Sequence, residues 1–243
     1  MSRRLGLVAV LLGLGLSSLV EVARAADGVA VRLQALLNAG DLAGVAALMP
    51  EAEADPWQLR ARRFQEEFPE ARWTVRLEQP GADGRRLMRV DVRGVAAMEG
   101  LRYRLEASQS LQVRLQDGRL IEQRLLNEQS LLRSGERALP VTLVIPDQVL
   151  TGSRYDVELI VNRPLGDAVL AGGLLPLTSD QVRDQVRPNL PLAPLAGGGL
   201  FKSVQAPLRP GAQTWAVMLV HPEGVVTATK RVRVVNAVPA GTI

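Results

Sequence analysis

The chain's 243 residues include one histidine, His221, and no cysteine, and that inventory settles most of the chemistry open to it. A thiolate nucleophile, an iron–sulfur cluster and a Cys-ligated zinc all need cysteine, and a multi-histidine metal site needs more than one imidazole. A Ser-His-Asp triad would have to use His221, which precedes the turn Pro222-Glu223-Gly224 and is expected as an exposed strand end. No Gly-x-Ser-x-Gly occurs, and neither Lys202 nor Lys230 has a serine three residues before it. The run Gly197-Gly198-Gly199-Leu200-Phe201-Lys202-Ser203 has a Gly-rich approach to a Lys-Ser pair, but Phe201 stands where a phosphate loop needs glycine. No set of spaced Asp or Asn residues ends in Glu as a calcium loop requires. The sequence therefore offers no cofactor, no metal and no catalytic residue, and the reading leans away from an enzyme.

Apolar chemistry is better represented. Trp57, Phe64, Trp73 and Tyr103 have the size and flat faces to line a ligand pocket, although such residues more often fill a core. Residues 190–201 are apolar and rich in Pro and Gly, and there Leu190, Leu192, Leu195, Leu200 and Phe201 could meet a protein partner. Packing over a sheet edge is an equally weighted alternative for that stretch.

Charge does not point to nucleic acid. The formal charge is +4 with a pI near 10.2. Only Lys202 and Lys230 are lysines, and arginine, which stays charged to high pH, carries the pI upward. The arginines are interspersed with carboxylates, as in Arg102-Tyr103-Arg104-Leu105-Glu106, without the basic stripe or the stacking aromatics of a nucleic-acid binder.

The N-terminus reads as an address. Arg3 and Arg4 precede an apolar run over residues 5–20, and Ala23-Arg24-Ala25 follows, the three parts of a secretory leader spanning 1–25. The run is shorter than the ~20 residues of a spanning helix, so cleavage is the expectation and a retained anchor the alternative. Three of the 29 basic and one of the 25 acidic side chains lie in the leader, so the remainder carries 26 against 24, a net of +2. The expected location is the periplasm or another extracytoplasmic compartment, with no stable membrane span once the leader is gone.

The elements that position these residues follow from periodicity. Asp27 is a candidate N-cap for a helix with Val29, Leu33, Leu36 and Leu37 on one face. Gly40 stops it, and Asp41 caps a second helix carrying Leu42, Val45, Leu48 and Met49. Asp55-Pro56 reads as the start of a third, with Trp57, Ala61, Phe64 and Phe68 along one face. After Pro69 the period becomes two: Trp73, Val75 and Leu77 alternate with polar residues, then Met88, Val90 and Val92. Leu101, Tyr103, Leu105, Ala107, Leu111, Val113 and Leu115 then share the apolar face of one long strand. Asp117-Gly118 turns into a fourth strand near 119–132. Residues 134–140 read as a linker. Short strands are expected at 141–145, 154–162, 168–175, 201–206, 214–221 and 225–235, with a long insertion at 178–199 and a tail at 236–243.

The stretch from Leu36 to Met49, with its Gly40-Asp41 turn between two helices, resembles the opening of NTF2-like (SnoaL/ketosteroid-isomerase-like) domains over residues 27–133. The later strands resemble a bacterial Ig-like domain. The resemblance implies an α+β domain at 26–133, three helices on a curved four-stranded antiparallel sheet (NTF2/cystatin-like), followed by an all-β Ig-like sandwich at 141–235. It also implies a pocket that a small ligand or a proton-transfer reaction could use. The functional expectation is a non-catalytic binding or scaffolding protein of the bacterial envelope, with a small-ligand carrier or proton-transfer enzyme as the alternative. Its partner would be another envelope protein or a small apolar ligand.

Overall fold

The computed structural model describes residues 17–98, 100–135, 139–164, 168–186, 188–195 and 197–236. The first 16 positions of the proposed leader, part of the expected linker and nearly all of the expected tail lie outside the described residues.

Helix α1 (Ser17–Ala39) runs through Asp27, so its start lies before the cap read from sequence. Its buried face carries Val29, Ala30 and Leu33. Gly40 ends it at φ +69°. The Gly40 N–H donates to the Leu37 carbonyl and the Asp41 N–H to that of Leu36, the paired bonds of a Schellman stop that a left-handed glycine makes possible. Asp41 then caps α2 (Leu42–Ala46), its Oδ1 accepting from the Gly44 N–H at 2.8 Å. Helix α3 (Glu51–Glu67) begins about one turn before Asp55-Pro56, directly after Pro50. Glu51 and Glu53 in its first turn favour that earlier start through the helix dipole, and Pro56 sits inside the helix.

Four long antiparallel strands follow: β1 (Arg72–Leu77), β2 (Arg86–Met98), β3 (Leu101–Gln116) and β4 (Arg119–Ser134). The β3–β4 turn is Asp117-Gly118, both residues at positive φ, as a two-residue hairpin demands. The free edge of β1 is covered by α1. Gln34 Oε1 accepts from the Val75 N–H at 2.9 Å, while Asn38 both accepts from the Trp73 N–H and donates to its carbonyl, each at 2.9 Å. Two amides one helical turn apart thus bond alternate residues of an edge strand, which blunts the edge and fixes Trp73.

The remaining strands are β5 (Val141–Val144), β6 (Gln148–Leu150), β7 (Arg154–Val161), β8 (Leu170–Leu177), β9 (Ala193–Leu195), β10 (Gly199–Gln205), β11 (Gly211–His221) and β12 (Gly224–Val235). A short helix, α4 (Ser179–Arg183), lies between β8 and β9 and opens with a Thr178–Gln181 capping box. The strands form a nine-stranded sheet in the order β1-β2-β3-β4-β12-β11-β8-β9, with β6 also on β12, and a three-stranded sheet β10-β7-β5.

That topology corrects the expected fold. The fold is mostly β, and the NTF2-like domain plus separate Ig-like sandwich of the sequence reading is not what forms. The four N-terminal strands are not a sheet of their own: β4 pairs with β12 from Arg133↔Val226 to Glu128↔Arg231, and one sheet crosses the expected boundary. The physical reason is the edge. A four-stranded sheet would leave the backbone of β4 unpaired, and β12 supplies those hydrogen bonds. The NTF2-like resemblance rested on local element order, which does not determine which distant strand takes that edge.

The crossing strand has two different faces. Val226, Ala228, Val232 and Val234 are buried against the three-stranded sheet, where Tyr155, Val157, Leu159 and Val161 of β7 meet them. Two sheets therefore pack face to face in the C-terminal half. The opposite face of β12 carries Thr227, Thr229 and Arg231, and it continues the face on which the helices lie. β12 also changes partner along its length, from β4 to the parallel β6 at Arg233↔Gln148. At this fork Lys230 is only 4% exposed, and its Nζ donates to Asn127 Oδ1 at 2.9 Å, to Gln129 Oε1 at 3.3 Å and to Asp147.

Candidate functional site

A cavity of about 1060 Å³ lies between the helices and the large sheet. Its floor can be read from strand register. One row of side chains crosses seven strands: Val75, Val90, Gln109, Glu128, Arg231, Thr214 and Leu177. The next row runs Trp73, Val92, Ala107, Ser130, Thr229, Ala216 and Leu175. The floor is thus apolar under the helices and turns polar where β3, β4 and β12 meet.

Over the apolar end, α3 contributes Trp57, Ala61 and Phe64, and α1 and α2 contribute Leu33, Leu37 and Val45. Phe64 stacks on Phe68 with ring centroids 5.3 Å apart and meets Trp73 edge-on at 5.2 Å. Offset and T-shaped contacts of this kind fix ring orientation as well as bury area. Over the polar end lies the α4 segment, with Val182 and Arg183 in the wall. Arg63 Nη1 of α3 donates to the Asp184 carbonyl at 3.1 Å and joins the two parts of the roof.

Several polar groups of the cavity engage one another. Gln109 Nε2 donates to Glu128 Oε1 at 2.5 Å, Gln123 donates to Glu53, and Ser130 Oγ and Thr229 Oγ1 are 2.6 Å apart. Arg231 Nε, by contrast, is buried without a hydrogen-bond partner. It faces Glu128 by register, yet no ion pair joins them among the described residues.

The structure separates the four aromatic residues singled out from sequence. Trp57, Phe64 and Trp73 line this one cavity, and Tyr103 is not part of its wall. Tyr103 pairs with Ala96 and Ser134 near the start of β3. The residues of 190–201 are divided as well. Leu190 and Leu200 are buried and Leu195 packs on the C-terminal core, whereas Leu192 is 44% and Phe201 62% exposed. Much of that stretch is strand, in β9 and β10. His221 is not an exposed strand end. It is 7% exposed, and its Nδ1 accepts from the Glu223 N–H at 3.1 Å within the β11–β12 turn.

Gln109, Glu128 and Arg231 were not singled out by sequence reasoning. A signal existed for Gln109, which occupies an inward position in the alternation of β3 where its neighbours are Ala107 and Leu111. Glu128 and Arg231 carried none, because which faces of β4 and β12 are continuous depends on their pairing.

A second concavity, of about 630 Å³, opens on the other face of the N-terminal strands and is lined by Arg72, Arg76, Asp91, Arg93 and Glu106. Its Arg76–Asp91 ion pair, at 3.6 Å, joins largely solvated groups and adds little stability. Among the described residues no cluster of His, Asp or Glu could hold a metal ion, and no helix is long and apolar enough to cross a membrane.

Residues 136–235 match a family described as a domain of unknown function, DUF8623. The match spans β5 to β12 and leaves the helices and β1–β4 outside it. No curated protein matches the chain. The larger cavity therefore joins both parts of the chain: its apolar end lies outside the matched segment, and Arg231 lies inside it.

Proposed function

We propose that this chain is an exported binding protein of the bacterial envelope whose cavity beneath α3 and α4 holds an elongated small apolar ligand. The observation that carries the reading is the cavity itself. At about 1060 Å³ it is at the upper end of small-molecule sites, walled mainly by aliphatic and aromatic side chains, with polar groups converging where β3, β4 and β12 meet. Each CH₂ moved from water into such a wall contributes about 0.8 kcal/mol, so an alkyl or aryl group needs no further chemistry to bind. The export part rests on the leader over residues 1–25.

Titration with N-phenyl-1-naphthylamine, a neutral apolar fluorophore, tests the cavity. Saturable binding at one site is expected, and Ala61→Trp, which places an indole in the cavity from α3, should abolish it. Absence of saturable binding, or a filled variant that binds as the parent does, would refute the reading. N-terminal sequencing of protein recovered from the periplasm should begin at Ala26; an uncleaved, cytoplasmic chain would refute export.

A second reading, docking of an envelope protein, is supported by the exposed side chains of Leu192 and Phe201. Leu192→Ser with Phe201→Ser should then abolish co-purification of a partner while leaving fluorophore binding intact.

A further inference from the structure

We propose that the cavity's ligand is a monoanionic amphiphile, a carboxylate on an alkyl chain, with the head held by Arg231 and the chain running under Trp57, Phe64 and Trp73. This inference rests on reading the cavity as a ligand site and adds the chemistry of its polar end.

Among the described residues, four guanidinium Nε atoms are buried without a hydrogen-bond partner, on Arg114, Arg133, Arg231 and Arg233. Of these residues only Arg231 lines the cavity. A buried donor left unbonded costs free energy that a bound acceptor restores, so an acceptor in the cavity has a defined place to go. Its nearest carboxylate by register is Glu128, but Glu128 Oε1 is occupied by the Gln109 amide. The other cavity carboxylate, Glu53, is engaged by Gln123.

The sign and magnitude of the ligand's charge follow from the wall. Three arginines, Arg60, Arg183 and Arg231, face two glutamates, Glu53 and Glu128. Arg183 is committed to Asp180 at 2.9 Å and Asp184 at 3.1 Å. Three guanidinium groups against two carboxylates leave the wall a net charge of +1, which suits a single negative charge and disfavours a dianion such as a phosphate monoester. A carboxylate also matches the planar fork of arginine, accepting two parallel hydrogen bonds. Thr214 and Thr229 flank the site on β11 and β12 and can donate hydroxyl hydrogen bonds to the same head.

Competition between dodecanoic acid and dodecan-1-ol for the naphthylamine-loaded chain, at pH 8 where the acid is ionised, tests this. The acid should bind at least ten-fold more tightly. Arg231→Gln should bring the acid down to the alcohol's affinity and leave the alcohol unchanged, and Glu128→Gln should raise acid affinity several-fold by removing the adjacent negative charge. Equal affinity of acid and alcohol for the parent chain overturns the proposal whatever the variants do. So does an Arg231→Gln chain that keeps the acid preference, or tighter binding of dodecyl phosphate than of the acid. If neither amphiphile nor the fluorophore binds, the cavity reading itself has failed.

Discussion

Lys230→Met tests whether one buried ammonium holds the fork at which β12 leaves β4 for β6. The substitution keeps most of the aliphatic stem and removes the charge. Three acceptors lose their donor: Asn127 Oδ1, Gln129 Oε1 and the Asp147 carboxylate. A hydrogen bond to a charged group contributes about 1.5–3 kcal/mol when its partners are buried. Asp147 is 58% exposed and regains water, so its share falls to the ~0.2–1 kcal/mol of a surface pair. Asn127 is half buried and Gln129 exposed, so both amide oxygens recover part of their loss from water. Removing the charge also relieves the desolvation cost of burying it. The balance is a loss of about 2–3 kcal/mol, which at ~2–4 °C per kcal/mol for a chain of this size lowers Tm by about 5–10 °C. Urea unfolding at pH 7, with an unchanged m-value, gives the number directly. Because Arg231 is the next residue, the same variant should also weaken the preference for an anionic ligand. A Lys230→Met chain within 0.5 kcal/mol of the parent would refute the argument that this lysine holds the fork.

Two further outcomes follow from the same reasoning. Tyr155 donates to Gln213 Oε1 at 2.6 Å and accepts from Trp215 Nε1 at 2.8 Å, and burial pushes its phenol above the ordinary value. A raised phenol favours the folded state only while it stays protonated, so this contribution is complete below about pH 10, the unfolded value, and is lost as pH rises through the folded value. Tyr155→Phe should therefore cost about 1–2 kcal/mol at pH 7 by stranding the Trp215 N–H, and flatten the fall in stability above pH 10; an unchanged alkaline slope would count against it. Arg63→Ala removes the bond between α3 and the α4 segment, an exposed contact worth about 0.5–1 kcal/mol. Stopped-flow release of the naphthylamine should become about two- to five-fold faster, and an unchanged rate would show that the roof does not open there.

The local elements were legible because their signals are local. Gly40 and Asp41 mark a stop and a start that need only neighbouring residues, and Asp117-Gly118 sets its own hairpin. The alternation of β3 correctly identifies Leu105 and Val113 as inward residues, both buried. Alternation names a face and does not say how far along the strand the helices reach. Tyr103 shares the phase of Leu105 and still falls outside the cavity, because α1–α3 cover only part of the sheet. The start of α3 was misplaced because Asp55-Pro56 imitates an N-cap within a helix that Glu51 and Glu53 already open. The whole architecture was not legible, since the pairing of β4 with β12 joins residues far apart in sequence and leaves no periodic trace in either.

That pairing also explains why the candidate site could not be read from one half of the chain. β12 is a shared wall: Val226, Ala228 and Val232 fill the sandwich on one side, while Thr229 and Arg231 face the cavity on the other. A residue on its cavity face is therefore placed by the packing of the face behind it, as a rigid strand must be. Lys230, between Thr229 and Arg231 and pointing the other way, anchors both. The arrangement gives the buried lysine a role beyond stability. A fork fixed by three acceptors holds the register that sets Arg231 opposite Glu128, and a one-residue slip of β12 would exchange the two faces, burying Arg231 in the sandwich and turning Val232 to the cavity.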